Sequence, residues 1–372
     1  MKTEWVHRKL IDLADYYNGM AFKPSDWVES GTKIIRIEQL NNPMGNYDYY
    51  QGSYPEINAI HNEDLIFSWS ATLKVAIWKW GEGVLNQHLF KVVPFENVDK
   101  YFLYYLLDYN MPKLGESSHG STMKHIKRKE LETYSVSIPS SLPAQRRIAA
   151  ILSSADKVIA STQKVIAKYK QIKQGLMEDL LKPKEGWKMV RLGDVGEIVT
   201  GSTPATTKAE FWDGEYNFYS PADFGENVYC AKTDRTITAA GMKTGRPVPA
   251  NSIMVACIAS IGKIAINRTE GITNQQINTI IPNDDYNFRF LYYLLSFNVE
   301  KIKGKAAQTT IPIINKEDFS NLEFSVPILA EQRRMAAILL GIDAKIAAEE
   351  KVLEKYTLIK KGLMEKLLNE KK

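Results

Sequence analysis

The chain has 372 residues, 44% of them hydrophobic, and a formal net charge of +5. That length accommodates two or three domains with real cores, and the composition is ordinary for a soluble globular protein. The longest apolar stretch, residues 253–266, contains Lys263 and is too short to span a bilayer; the N-terminus lacks the apolar core of a signal peptide, and Cys230 and Cys257 make neither a disulfide framework nor a zinc set, so a cytoplasmic location with no membrane partner is expected.

Residues 1–142 carry a net charge of −2, and short runs rich in β-branched and aromatic residues predict strands at 33–37, 65–69, 75–80 and 89–93. A helix is expected at 101–109, where Leu and Tyr cluster without turn residues. Pro139-Ser140-Ser141-Leu142-Pro143 marks a boundary, since serine caps helices and proline is tolerated in a first turn. Residues 143–184, net +6, then read as one long helix. Its positions Ile148, Ile151, Ala155, Val158, Thr162, Val165, Tyr169, Ile172 and Leu176 recur at alternating spacings of three and four, a sustained heptad seam. Lys182-Pro183-Lys184-Glu185-Gly186 ends it.

Residues 185–329, net −2, predict strands at 252–258, 264–266 and 277–281 and a helix at 288–297. Residues 330–372, net +3, form a second long helix with Met335, Ile338, Ile342, Lys345, Glu349, Val352, Tyr356, Ile359 and Leu363 on its seam. Lys345 and Glu349 interrupt that seam, with Ile346 and Leu353 beside it. Each helix would be about 55 Å long at 1.5 Å per residue. A bare seam needs a partner, and two such helices in one chain can satisfy each other. The positive charge thus lies on the helices, so nucleic-acid affinity in the rest of the chain must come from local clusters or partner subunits.

The two halves repeat. Gln145-Arg146-Arg147-Ile148-Ala149-Ala150-Ile151-Leu152 recurs 187 residues later as Gln332-Arg333-Arg334-Met335-Ala336-Ala337-Ile338-Leu339. Without a gap to Leu181 and Leu368, 22 of 37 aligned positions are identical, including Asp156/Asp343, Lys168-Tyr169/Lys355-Tyr356 and Gly175-Leu176-Met177-Glu178/Gly362-Leu363-Met364-Glu365. Looser anchors precede the helices: Gly19 and Gly201, Asn86-Gln87 and Asn274-Gln275, Leu103-Tyr104-Tyr105-Leu106-Leu107 and Leu291-Tyr292-Tyr293-Leu294-Leu295. Between them the copies diverge. Shared residues are expected to be scaffold; differing ones, the places where the copies do different jobs.

Catalytic constellations are missing. No Gly-x4-Gly-Lys-Ser/Thr loop occurs, the five histidines are scattered and confined to the first copy, and the Asn/Asp-Pro-Pro-aromatic tetrapeptide of an amino-methylating DNA enzyme is absent. A non-catalytic chain with no bound metal or cofactor is expected.

With module, helix beginning Gln145-Arg146-Arg147-Ile148-Ala149, module and near-identical helix from Gln332, the chain resembles the specificity subunit of type I restriction–modification systems along essentially its whole length. Gly175-Leu176-Met177, Gly362-Leu363-Met364 and Trp187-x-x-Val190-Arg191-Leu192-Gly193-Asp194 carry the likeness further; Lys9-Leu10-Ile11-Asp12 departs from the usual Leu-Gly-Asp form. The resemblance implies an α+β fold: target recognition domains at 1–142 and 185–329, with helices 143–184 and 330–372 forming an antiparallel coiled coil in a pseudo-twofold repeat. It further implies that each recognition domain reads one half of a bipartite, asymmetric site in double-stranded DNA. The helices would set the gap and dock two methylation subunits, and restriction subunits would add cleavage. S-adenosylmethionine, ATP and magnesium would reside on those partners. A coiled-coil scaffold that binds only proteins, and the reading arm of a type IIB-like nuclease–methylase, stand as alternatives.

Base readers should occupy corresponding places yet differ in identity. The candidates are Lys23 against Thr203 and His88 against Gln276; Lys74 and Lys263, at the ends of the diverged stretches 68–74 and 256–263, are further DNA-binding candidates. To these are added His119, Ser121 and Lys124 against Gln308 and Thr309. Asn86, Gln87, Asn274 and Gln275 recur in both copies, and bonding to loop backbone or phosphate fits them better than base readout. For the two lysines a solvated surface role is the alternative. Arg146, Arg147, Lys168, Arg333, Arg334 and Lys355 are shared and are expected to dock the methylation subunits, against the alternative that they reflect intramolecular helix pairing alone.

Overall fold

The computed structural model describes residues 4–70, 72–116, 126, 128–306 and 312–369. The chain forms two compact units, one built from residues 1–163 with 351–372 and the other from residues 164–350. The two long helices, Leu142–Leu181 and Leu329–Leu367, are each divided between the units.

In the first unit, Trp5–Lys9 pairs antiparallel with Ser135–Pro139, closing the module beside the start of the first long helix. A four-stranded antiparallel sheet follows the spatial order Ala14–Asn18, Leu89–Pro94, Leu65–Ser68 and Lys74–Ile77. A second sheet runs Tyr49–Tyr50, Thr32–Ile35, Gly83–Leu85 and Ala59–Ile60, with the central pair parallel. The expected strands are present with shifted ends: Ile37 starts a short helix, Ile37–Asn41, rather than ending a strand. The helix expected at 101–109 extends over Lys100–Glu116 and packs Phe102, Leu103, Leu106 and Leu107 into the core.

The second unit repeats this plan. Lys188–Arg191 pairs with Glu323–Val326. Gly196–Thr200, Ile277–Pro282, Ile253–Ala256 and Ile264–Asn267 form the larger sheet, which Tyr229–Cys230 extends at one edge. Arg235–Ile237, Trp212–Tyr219, Gly271–Thr273 and Pro247–Val248 form the smaller, again with a parallel central pair. Phe288–Phe297 is the expected helix, with Asn287 capping it by accepting from the Phe290 N–H at 3.0 Å.

Within each unit the helix segments run antiparallel. In the first, Ile148, Ala149 and Leu152 share a core with Met364 and Leu368, while Asp156 meets Lys360. In the second, Leu181 shares a core with Met335, Ala336 and Leu339, while Lys173 meets Asp343 and Lys170 meets Glu350.

The seam itself differs from the sequence expectation in one respect. Ile148, Ala155 and Thr162 are buried as expected, but their intervening partners are Leu152 and Ile166. Ile151, Val158 and Ile172 stand 44%, 37% and 41% exposed. The second helix shows the same shift, burying Leu339 and Ile346 while Ile338, Val352 and Ile359 are 37–40% exposed. A one-residue step turns a side chain by roughly 100°, from seam to flank. Leu, the residue of the first helix that fills its module's core at position 152, therefore decides which face turns inward. The displaced isoleucines are left at the surface at equivalent positions in both copies.

Candidate nucleic-acid interface

Two turns with the same construction carry the exposed candidates. In the first module, Gly19 donates its N–H to the Leu89 carbonyl at 3.0 Å, Met20 to Leu85 at 2.7 Å, and Gln87 to Met20 at 2.7 Å. In the second, Gly201 donates to Ile277 at 3.0 Å and Ser202 to Thr273 at 2.8 Å. Any side chain at the glycine would collide: a Cβ would lie 2.2 Å from the Asn86 carbonyl oxygen at Gly19, and 2.0 Å from that of Asn274 at Gly201. Close backbone approach is thus the reason for the shared glycine.

The shared asparagines hold the turns. The Asn86 Oδ1 accepts from the His88 N–H at 3.4 Å and the Asn274 Oδ1 from the Gln276 N–H at 3.0 Å, the bond of an Asx turn. Asn86 is buried and Asn274 half-buried, whereas Gln87, His88 and Gln275 are exposed at the tips. The His88 ring lies 5.7 Å from that of Trp69. Gln276 is half-buried, its Oε1 accepting from Asn274 Nδ2 at 3.0 Å. Thr203, exposed, donates its hydroxyl to Gln275 Oε1. Gly201, Thr203 and the Asn274–Gln276 turn therefore come together.

The two lysines bond backbone carbonyls within their own modules. Lys74 Nζ donates to the Leu40 carbonyl at 2.6 Å, and Lys263 Nζ to that of Pro221 at 3.3 Å. Lys23 is exposed, its own N–H bonded to Asp26 at 2.7 Å. His119, Ser121, Lys124, Gln308 and Thr309 lie outside the described residues. Trp78 is fully buried in the core, donating Nε1–H to the Gly81 carbonyl at 2.7 Å, so it offers no face for a base to stack on.

On the helices, Arg146, Arg147, Lys168, Arg333, Arg334 and Lys355 are all exposed. Arg146 sits 3.6 Å from Asp99, and Arg334 pairs with Glu331 at 2.9 Å. The glutamines that open the same motif do something else. Gln145 is buried, accepting from the Asp99 N–H at 2.8 Å and donating to the Pro139 carbonyl at 3.0 Å; Gln332 does the same with Asn287 at 2.9 Å and Pro327 at 2.9 Å. They clamp each long helix to its own module.

A second pair of matched sites fixes helix register. Tyr105 donates to Asp156 at 2.6 Å, and Lys360 reaches the other carboxylate oxygen at 2.7 Å. Tyr293 donates to Asp343 at 2.6 Å, and Lys173 reaches its second oxygen at 2.7 Å. Each ammonium also lies over the tyrosine ring, at 5.5 Å and 5.7 Å. Burial, then the hydrogen bond to the carboxylate, pushes both phenols well above their ordinary range. All six residues were identical between copies in the sequence, and that identity was the available signal; what it did not show is that they meet. Among the described residues no cluster fit to hold a metal ion occurs, and no helix is long and apolar enough to cross a membrane.

A family model described as the type I restriction modification DNA specificity domain matches residues 2–171 and 184–357. The chain belongs to that family and carries its domain twice. It is similar to the specificity subunit of the type I restriction enzyme MjaIX from Methanocaldococcus jannaschii, 31% identical over 189 residues, covering 48% of this chain and 44% of that one. It is also similar to the HindI specificity subunit from Haemophilus influenzae, 30% identical over 193 residues, covering 50% and 41%. These matches span less than half of either relative's length. The fold is shared with the S subunit of a type I restriction–modification system from M. genitalium: TM-score 0.67 at 16% identity, covering 100% of this chain and 98% of that one.

Proposed function

We propose that the chain is the non-catalytic DNA-specificity subunit of a type I restriction–modification complex, each module reading one half of a bipartite, asymmetric duplex site. The observation that carries this reading is the duplicated turn. Both modules hold an Asn-Gln pair against a glycine by matched hydrogen bonds from the glycine and the residue after it, yet the exposed surroundings differ: His88 with Lys23 in one, Thr203 in the other. Identical scaffolds with different donors and acceptors are what reading two different sequences requires. On this reading the recognition domains are residues 1–142 and 185–329, and the helical segments 143–184 and 330–372 set the gap between half-sites.

Two methylation subunits would dock along the long helices. Repeated exposure supports this: Ile151 and Ile338, and Ile172 and Ile359, are exposed at equivalent positions, near Arg146, Arg147 and Lys168 and Arg333, Arg334 and Lys355 in sequence. Apolar side chains kept exposed twice over fit two copies of one partner. S-adenosylmethionine, ATP and magnesium would be held by the methylation and restriction subunits. The test is co-expression with the methylation partner and methylation-sensitive sequencing of the host DNA. A split, asymmetric motif modified only when both proteins are present is expected. Methyl transfer by the isolated chain, or no duplex binding by the complex at low salt, would overturn the proposal.

A further inference from the structure

Strand pairing equates two residues that the sequences do not align. In the first module Ala59 pairs with Val84, two residues before Asn86; in the second Pro247 pairs with Ile272, two residues before Asn274. The residues immediately before these strands, Asn58 and Arg246, therefore occupy the same place. They also do the same local work. Asn58 Nδ2 donates to the Asn18 carbonyl at 2.6 Å, and an Arg246 terminal N–H donates to the Thr200 carbonyl at 2.6 Å. Asn18 and Thr200 each precede the shared glycine of the turn.

The chemistry left over is different. Asn58 is 6% exposed, and its amide completes the loop. Arg246 is exposed, and one of its five N–H donors is enough for the carbonyl. No salt bridge to Arg246 occurs among the described residues, so its charge is not neutralised there. Its position beside the turn is tight: a Cβ on the preceding Gly245 would lie 3.3 Å from the Ser202 hydroxyl oxygen. A guanidinium tethered at one nitrogen has lost much of its freedom, and its planar fork suits an oxyanion. The acidic balance of the second module makes such a placed cation more consequential.

We infer that Arg246 binds a DNA backbone phosphate beside the second turn, a contact for which the first module has a neutral, buried counterpart. This rests on the DNA-reading function proposed above. The contact would seat the duplex against the second turn, and would make the second half-site the more salt-sensitive one.

The test uses the full chain in complex with its methylation subunit and a duplex carrying its site, with affinity measured across salt concentrations. R246Q is expected to lower the slope of log affinity against log salt by about 0.9, the release expected of one phosphate contact. The weakening should be equal on duplexes altered within the second half-site, and the methylated motif should not change. R246K should restore the slope. Because a substitution could disturb the turn, single phosphates are also replaced by neutral methylphosphonates in DNA bound by the unsubstituted complex. One replacement in the second half-site should reproduce the lost slope, and it should add nothing in R246Q. An unchanged slope in folded R246Q, a relaxed preference at one base with the slope intact, or additive losses in the methylphosphonate series would overturn the assignment. If the unsubstituted complex binds no duplex, the DNA reading itself falls, and this inference with it.

Discussion

At the scale of single residues, identity between the copies separated scaffold from surface only in part. Gln145 and Gln332 open a motif whose paired arginines, not the glutamines, are the residues expected to dock a partner. The glutamines turned out to face inward, because a buried amide can answer an N–H and a carbonyl of the module at once, which an arginine at the solvent edge cannot. Replacing Gln332 by Leu would leave the Asn287 N–H and the Pro327 carbonyl without their partner. A loss of about 1–3 kcal/mol is expected in chemical denaturation, since buried groups left unpaired bear the full desolvation penalty. Gly201→Ala should be more disruptive still, because the added carbon would overlap backbone rather than a movable side chain. Its thermal midpoint should fall well below that of Gly225→Ala, where no atom lies within 4 Å. The Asn58–Arg246 equivalence could not have been found by alignment. It is set by strand pairing through segments whose sequences have diverged.

Among elements, the long helices were legible in extent but not in facing. Spacings of three and four fit two seams that share half their positions, and Ile151 and Leu152 are equally apolar. Only the module core, which receives Leu152, distinguishes them. Register is enforced by Asp156 with Lys360 and by Asp343 with Lys173, partly buried ions that bind only in one alignment. Lys173→Met should destabilise the protein by roughly 2–4 kcal/mol, because it strands the Asp343 charge. Lys173→Met with Asp343→Leu should recover part of that loss; denaturation of the single and double variants measures the coupling. Alkaline pH probes the same elements. Tyr105 and Tyr293 have phenols raised above 10.0, and the buried Cys257 thiol is pushed from 9.0 up to about 11. The folded chain keeps these protons longer than the unfolded chain does. Their contribution to stability is therefore complete at neutral pH and is lost as pH climbs past about 9 and then 10. The denaturation midpoint should decline in that window, and less steeply in a Tyr105→Phe, Tyr293→Phe double variant.

For the whole molecule, duplication is the strongest signal in the sequence, and it sets the order of modules and helices. Two tests belong here. Exchanging residues 187–327 for the matching module of another family member should change one half of the methylated motif and leave the other intact. Inserting seven residues into region 162–169 of the first helix alone should alter the gap or abolish assembly. Asp156 and Lys173 are separated along one helix by the same distance in sequence as Asp343 and Lys360 along the other, and the insertion would break that match.

The two compact units also differ in how their sequence is supplied. The second comes from one continuous stretch, 164–350, whereas the first needs residues 1–163 together with 351–372. On a ribosome the module of residues 1–142 must therefore wait for helical turns made much later, Met364 and Leu368 among them, to finish its core. The unit of residues 164–350 can mature first, and termination ahead of residue 351 would harm residues 1–163 more than residues 164–350.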